Sequence, residues 1–145
     1  MENNTKTLPL EDSNTLRLTL KGKWFDMILS GEKLEEYREI KDYWFKRLVF
    51  QYKKVFRYSV GVGYDDGLYI EEGILHCCSP ARRSMMGFNY FDTITFTHGY
   101  AKNARKMIVE FKGIDIGVAR PEWSDNWQGD VFRIKLGNII KTENI

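Results

Sequence analysis

The amino-acid sequence predicts an α+β fold, a small mixed β-barrel with short flanking helices. Many short stretches alternate apolar with polar residues or are rich in β-branched and aromatic residues, which is typical of strands. Only two short stretches have helical spacing, and without strand–helix–strand alternation a doubly wound sheet is not expected. The 145 residues, 43% of them apolar and 14% aromatic, are enough for one domain with its own core. We expect that domain at 15–140, between a polar, disordered tail at 1–14 and a short tail at 141–145.

The first predicted helix is short and ends at a glycine. Residues 16–20 form a predicted strand before it, because leucine occupies every second position. In residues 24–29 apolar side chains recur three and four positions apart, which predicts an amphipathic helix. Gly31 follows, and glycine readily adopts the left-handed conformation that ends many helices. A strand at 34–40 and a second short helix at 43–48 come next.

The remaining sequence is predicted to form strands and loops. The strands are expected at 55–62, 68–75, 93–97, 107–118 and 131–136. An Asp-Gly pair at 66–67 predicts a hairpin between the first two of them. The stretch 79–89 contains proline and glycine, has no clean period and is predicted to be a mobile loop. Residues 121–129 are a second long loop.

Composition excludes several classes of protein. Cys77 and Cys78 are adjacent, which suits neither a disulfide framework nor the spaced ligands of a zinc site. No stretch approaches the roughly 18 apolar residues of a membrane span, and residues 1–14 contain no apolar signal segment. We therefore expect a cytoplasmic protein with no metal, no cofactor and no membrane partner.

The small net charge of +2 is distributed unevenly. Residues 41–58 carry six basic side chains against one acidic, and residues 81–106 carry five against one. Between them, residues 59–80 carry four acidic side chains and no basic ones. The two basic blocks could meet on one face and attract phosphate, or they could be solvated surface, which is the commoner case in small domains.

A cluster of charged residues follows Gly31. On a strand at 34–40, Glu36 and Arg38 lie two positions apart on one face, and Lys33 lies at the turn before it. If that face points inward, the charges are costly to desolvate unless they are paired, which indicates a binding cleft. The alternative is an exposed edge strand whose charges discourage aggregation.

The same residues resemble a known family. Residues 31–38 read Gly-Glu-Lys-Leu-Glu-Glu-Tyr-Arg and match the G-x-K-x-x-E-x-R signature of ASCH domains, which are PUA-like β-barrels. The flanking segments are similar too, namely WFDMILS before the signature, YWFKRL after it, FDTITFTHGY at 91–100 and the closing FRIKLGNI. The resemblance covers most of 15–140 except 60–89, which looks like an insertion.

The resemblance implies binding of RNA or a nucleotide in a cleft beside the signature. Lys33 and Arg38 would contact phosphate or a base edge, and Glu36 would orient Arg38 or accept from an amino group. Tyr100 or His98, in a predicted turn, could stack on a base, although aromatic residues at strand ends are more often structural. A binding module is the favoured interpretation, with RNA, a nucleotide or a nucleoside as partner.

Two alternatives remain open. Some ASCH proteins are amidohydrolases that deacylate N4-acetylcytidine, using the signature lysine, a threonine three residues later and a glutamate from another segment. In this chain Lys33 would be the activated group and Glu36, which stands where those enzymes have threonine, the general acid or base. The third hypothesis is a protein-interaction module in which the charged cleft is incidental.

Overall fold

The structure is a computed structural model that describes residues 14–50, 68–71, 74–77, 87–125 and 127–145. The described residues form an α+β arrangement of strands with two short α-helices. The elements in chain order are β1 (Thr15–Leu20), α1 (Gly22–Leu29), β2 (Glu35–Arg38), α2 (Asp42–Leu48), β3 (Val49–Phe50), β4 (Leu68–Glu71), β5 (Ile74–Cys77), β6 (Gly87–Phe88), β7 (Thr93–His98), β8 (Lys106–Val118), a 3-10 helix (Pro121–Trp123) and β9 (Asp130–Glu143).

The largest sheet is mixed and has five strands in the order β1-β7-β8-β9-β2. β1 pairs parallel with β7, and β7 pairs antiparallel with β8. β3 with β6 and β4 with β5 form two separate antiparallel pairs. None of the helices in the described part of the chain is long and apolar enough to cross a membrane.

The chain divides into two compact units. Unit 1 comprises Met1–Glu36, Tyr90–Gly113 and Lys135–Ile145. Unit 2 comprises Tyr37–Asn89 and Ile114–Ile134. Strands β2, β8 and β9 therefore each contribute residues to both units.

The core of unit 1 forms where α1 packs beside β7 and β7 pairs with β1. The alternating leucines of β1 are buried, as the period-two pattern predicts. From α1, Trp24, Phe25 and Ile28 are buried, so the helical spacing did identify the inward face. Polar side chains on the opposite faces of both elements remain accessible.

The core of unit 2 is centred on an aromatic cluster around Phe132. Its ring meets Phe45 of α2 edge-on at 5.2 Å and Phe88 of β6 edge-on at 6.1 Å between ring centres. Trp123 of the 3-10 helix is also buried. The buried Tyr37 accepts a hydrogen bond at its hydroxyl from the Arg120 backbone N–H, at 3.2 Å. These aromatic side chains supply large apolar area from short elements.

Some predicted elements are confirmed and others are wrong. Both predicted helices are confirmed to within two residues. The predicted single strand at 68–75 is instead two strands, β4 and β5, which pair with each other. Gly73, between them in sequence, was the available turn signal. The predicted strand at 55–62 and the Asp-Gly pair at 66–67 lie outside the described residues.

The predicted loop at 79–89 and the predicted tail also need correction. Residues 87–88 form β6, which pairs with β3, and the Asn89 backbone N–H donates to the Leu48 carbonyl at 2.8 Å. Residues 79–86 lie outside the described residues. β9 continues to Glu143, seven residues past its predicted end, because neighbouring backbone and side chains provide partners that sequence periodicity does not reveal. One such contact is the hydrogen bond from the Asn138 N–H to Glu110 Oε1, at 2.9 Å.

Replacing Gly31 by alanine should lower the free energy of unfolding by about 1–2 kcal/mol. Gly31 has φ of +88°, and an added Cβ would meet nothing within 4 Å, so the loss comes from backbone conformation alone. Gly87→Ala is the matched control, because its added Cβ also meets nothing and its φ lies outside the left-handed region. Equilibrium unfolding in urea measures both variants, and equal losses would contradict the assignment.

Candidate functional site

The turn after α1 determines where Lys33 lies. The Ser30 N–H donates to the Asp26 carbonyl at 2.9 Å, and the Gly31 N–H donates to the Ile28 carbonyl at 3.0 Å. With Gly31 in the left-handed conformation, the chain reverses, and the Lys33 N–H reaches the Met27 carbonyl at 3.0 Å. Lys33 is thereby held against the last turn of α1.

Lys33 and Glu36 form a buried ion pair. Lys33 is 1% exposed and Glu36 is 5% exposed. The Lys33 ammonium lies 3.1 Å from Glu36 Oε1, donates to the Glu35 carbonyl at 2.7 Å and lies 5.1 Å from the centre of the Trp24 ring. Each contact compensates part of the free energy lost when the two charges leave water.

A second ion pair holds the start of β2 to β9. Glu35 Oε2 pairs with the Lys135 ammonium, and both side chains are partly buried. Next to this pair, the Leu136 N–H donates to the Leu34 carbonyl at 3.1 Å. The backbone around Lys33 and Glu36 is therefore fixed by backbone and side-chain contacts together.

Arg38, the last signature residue, belongs to unit 2. Its guanidinium donates to the Tyr37 carbonyl at 2.8 Å and lies 5.1 Å from the centre of the Trp44 ring on α2. Arg47 lies at the same distance from that ring and 5.8 Å from the Tyr43 ring. The Tyr43 and Trp44 rings meet edge-on at 4.8 Å.

The structure places the predicted signature residues in different surroundings. The side chains of Lys33 and Glu36 are buried and in contact, although β2 is the last strand in the order of the sheet. Arg38 is half-buried. Leu34, the first residue of the predicted strand, precedes β2 and is 52% exposed. β2 covers Glu35–Arg38 only, shorter than the predicted 34–40.

His98 and Tyr100 lie at the end of β7 in unit 1. His98 is half-buried, and its ring centre lies 5.9 Å from that of Phe25. A Cβ added at Gly22, the first residue of α1, would come within 3.0 Å of His98 Nε2. Tyr100 is 92% exposed. His98 is thus packed against α1, whereas the Tyr100 ring is accessible to a ligand.

Sequence reasoning missed a charged cluster around Arg105. The Arg105 guanidinium lies 2.8 Å from Asp26 Oδ1, within 3.3 Å of His98 Nδ1 and 4.5 Å from the Phe25 ring centre. No local signal could have found it, because Asp26 and Arg105 are far apart in the chain. By contrast, Arg47 stands three and four positions after Trp44 and Tyr43, a spacing that predicts contact on a helix.

Among the residues that the structure describes, no group of three or more His, Cys, Asp or Glu side chains could hold a metal ion.

Comparison with known proteins found no matching family model, no matching curated protein and no matching solved structure.

Removing one partner of the buried pair should be more damaging than removing both. Lys33→Met or Glu36→Leu alone should lower the free energy of unfolding by about 3–5 kcal/mol, because each leaves a buried charge without its partner. The double variant should lose less than either single variant, since neither buried charge remains.

The exposed pair Asp42–Lys46, 2.9 Å apart on α2, is the control, and its coupling should be about 0.3–0.5 kcal/mol. Urea unfolding of all variants gives both couplings. Additive losses at Lys33 and Glu36 would show that the two charges do not depend on each other.

The geometry of Lys33 is better suited to donating hydrogen bonds than to attacking a substrate. A lysine is a nucleophile or base only in its neutral form, whereas a carboxylate at 3.1 Å favours the ammonium form. We therefore expect no turnover of N4-acetylcytidine by the purified protein, measured by chromatography of released cytidine. Glu36→Thr removes the carboxylate and is the variant in which activity should first appear. Turnover by the unmodified protein that disappears in Lys33→Ala would contradict this expectation.

Proposed function

We propose that the chain is a nucleic-acid or nucleotide-binding module of the ASCH type, built as a PUA-like barrel. The likeness of residues 31–38 to the family signature supports this proposal, and a mixed sheet with two short helices is compatible with it. RNA is the favoured partner. The adjacent cysteines fit a reducing compartment, so a cytoplasmic location is part of the proposal.

The observation that carries the binding proposal is the stacking of Arg38 on Trp44. A guanidinium has planar donors that match phosphate oxygens, and an aromatic face can stack on any base. Both side chains are partly exposed to solvent. This combination of cation and ring is typical of proteins that bind unpaired bases and their phosphates.

The buried pair has a different part in the proposal. Lys33 and Glu36 are almost completely enclosed and bonded to each other, so a polymer would not reach their charged groups directly. We assign them the positioning of β2, the strand that ends in Arg38. Tyr100 is proposed as a separate stacking residue, because its ring is almost fully exposed beside the turn at Gly99.

Replacing Arg38 by alanine should weaken binding of a fluorescent single-stranded RNA about tenfold and reduce the salt slope of the binding constant by about 1. The reason is the loss of one phosphate contact and its released counterion. Fluorescence anisotropy at several salt concentrations measures both quantities.

Lys112→Ala removes the same charge from an exposed position on β8 and serves as the control. It should change affinity by less than about twofold. Absence of binding by the unmodified protein, or binding indifferent to salt, would overturn the proposal.

A further inference from the structure

The outer face of α2, together with the end of β2, combines two cations with two aromatic rings. We call Arg38, Tyr43, Trp44 and Arg47 the stacking surface. Both guanidinium groups lie 5.1 Å from the centre of the one Trp44 ring, and Arg47 Nη1 also lies 3.5 Å from the Tyr43 hydroxyl. All four residues belong to unit 2.

The electrostatics of this surface favour an anionic ligand. Because both guanidiniums share one ring, they cannot be further apart than twice 5.1 Å, which is about one Debye length at 0.1 M salt. At that separation both guanidiniums can contact the phosphates of one ligand. The segment 38–48 carries four basic side chains against two acidic ones, so its own net charge is positive.

The aromatic part of the surface favours a base. Tyr43 is 56% exposed, although its ring is held edge-on against Trp44. A large ring that is fixed in orientation yet exposed loses little conformational freedom when a base stacks on it. The surface thus offers an aromatic face next to two sites for negative charge.

We propose that the stacking surface binds single-stranded nucleic acid in preference to a free nucleotide, with phosphates at Arg38 and Arg47 and a base on Tyr43. The inference rests on the proposed function and specifies its ligand. A nucleoside monophosphate brings one phosphate and one base, so it satisfies part of the surface. A single strand brings successive phosphates and a base free to stack, whereas a duplex keeps its bases stacked inside.

The test uses the full chain and a labelled single-stranded RNA of about 10 nucleotides, within the usual footprint of such sites. Tyr43→Ala should weaken binding about tenfold, and Tyr43→Phe, which keeps the ring, should stay within about twofold. Arg47→Ala should weaken binding about tenfold and reduce the salt slope by about 1. Arg47→Lys keeps the charge and should retain the slope while losing part of the affinity.

Arg120→Ala is the matched control. Arg120 also stacks on a tryptophan, lying 4.7 Å from the centre of the Trp123 ring, but that ring is buried and Arg120 pairs with Glu122 at 3.5 Å. Its loss should change affinity by less than about twofold while removing the same charge. Urea unfolding shows whether each variant is folded. If an alanine variant is unfolded, the comparison uses the conservative variants Tyr43→Phe and Arg47→Lys.

Competition identifies the ligand class. Unlabelled single strand should displace the probe, whereas adenosine monophosphate and a duplex of the same sequence should need at least about tenfold higher concentration. Equal competition by the monophosphate, or Tyr43 and Arg47 variants that bind as well as Arg120→Ala, would overturn this inference while leaving nucleotide binding in place. No binding of either strand or monophosphate would instead remove the proposed function itself.

Discussion

The structure around the signature depends on the burial of one ammonium and one carboxylate. Removing two charges from water is expensive, and the loss is offset only when the groups contact each other and further polar partners. Lys33 meets Glu36, the Glu35 carbonyl and the face of Trp24. Those contacts require the chain to reverse sharply after α1, and the left-handed conformation of Gly31 makes that reversal possible. Gly31, Lys33 and Glu36 are thus linked, because the chain reversal at Gly31 brings Lys33 to the position where it contacts Glu36.

The charged residues of the signature differ in burial. Lys33 and Glu36 are enclosed and pair with each other. Arg38 lies two residues further along β2, half-buried and beside Trp44. The signature therefore contains one enclosed ion pair and one partly exposed guanidinium.

Two of the clusters that combine arginine with aromatic rings differ in the burial of those rings. Arg105 stacks on the ring of Phe25, which is fully buried. The charge of Arg105 is paired with that of Asp26. This cluster connects α1 with the residues after β7. Arg38 and Arg47 instead share a ring that is only partly buried, beside the exposed Tyr43. Cation–π contacts of either kind are worth about 0.5–2 kcal/mol, so the clear difference between the two clusters is the exposure of their rings.

Local regularities of the sequence were enough to determine the alternating leucines of β1, the buried face of α1, the end of that helix at Gly31 and the position of α2. Each of these features follows from the spacing of apolar side chains or from the backbone conformation that one residue can adopt. Neither cause depends on contacts with distant parts of the chain. Tertiary structure alone decided that β6 pairs with β3 and that β9 continues to Glu143. It also decided that the charges of Lys33 and Glu36 are buried, which the sequence pattern left open. Strand pairing and desolvation depend on residues far apart in the chain, so no local pattern contains them.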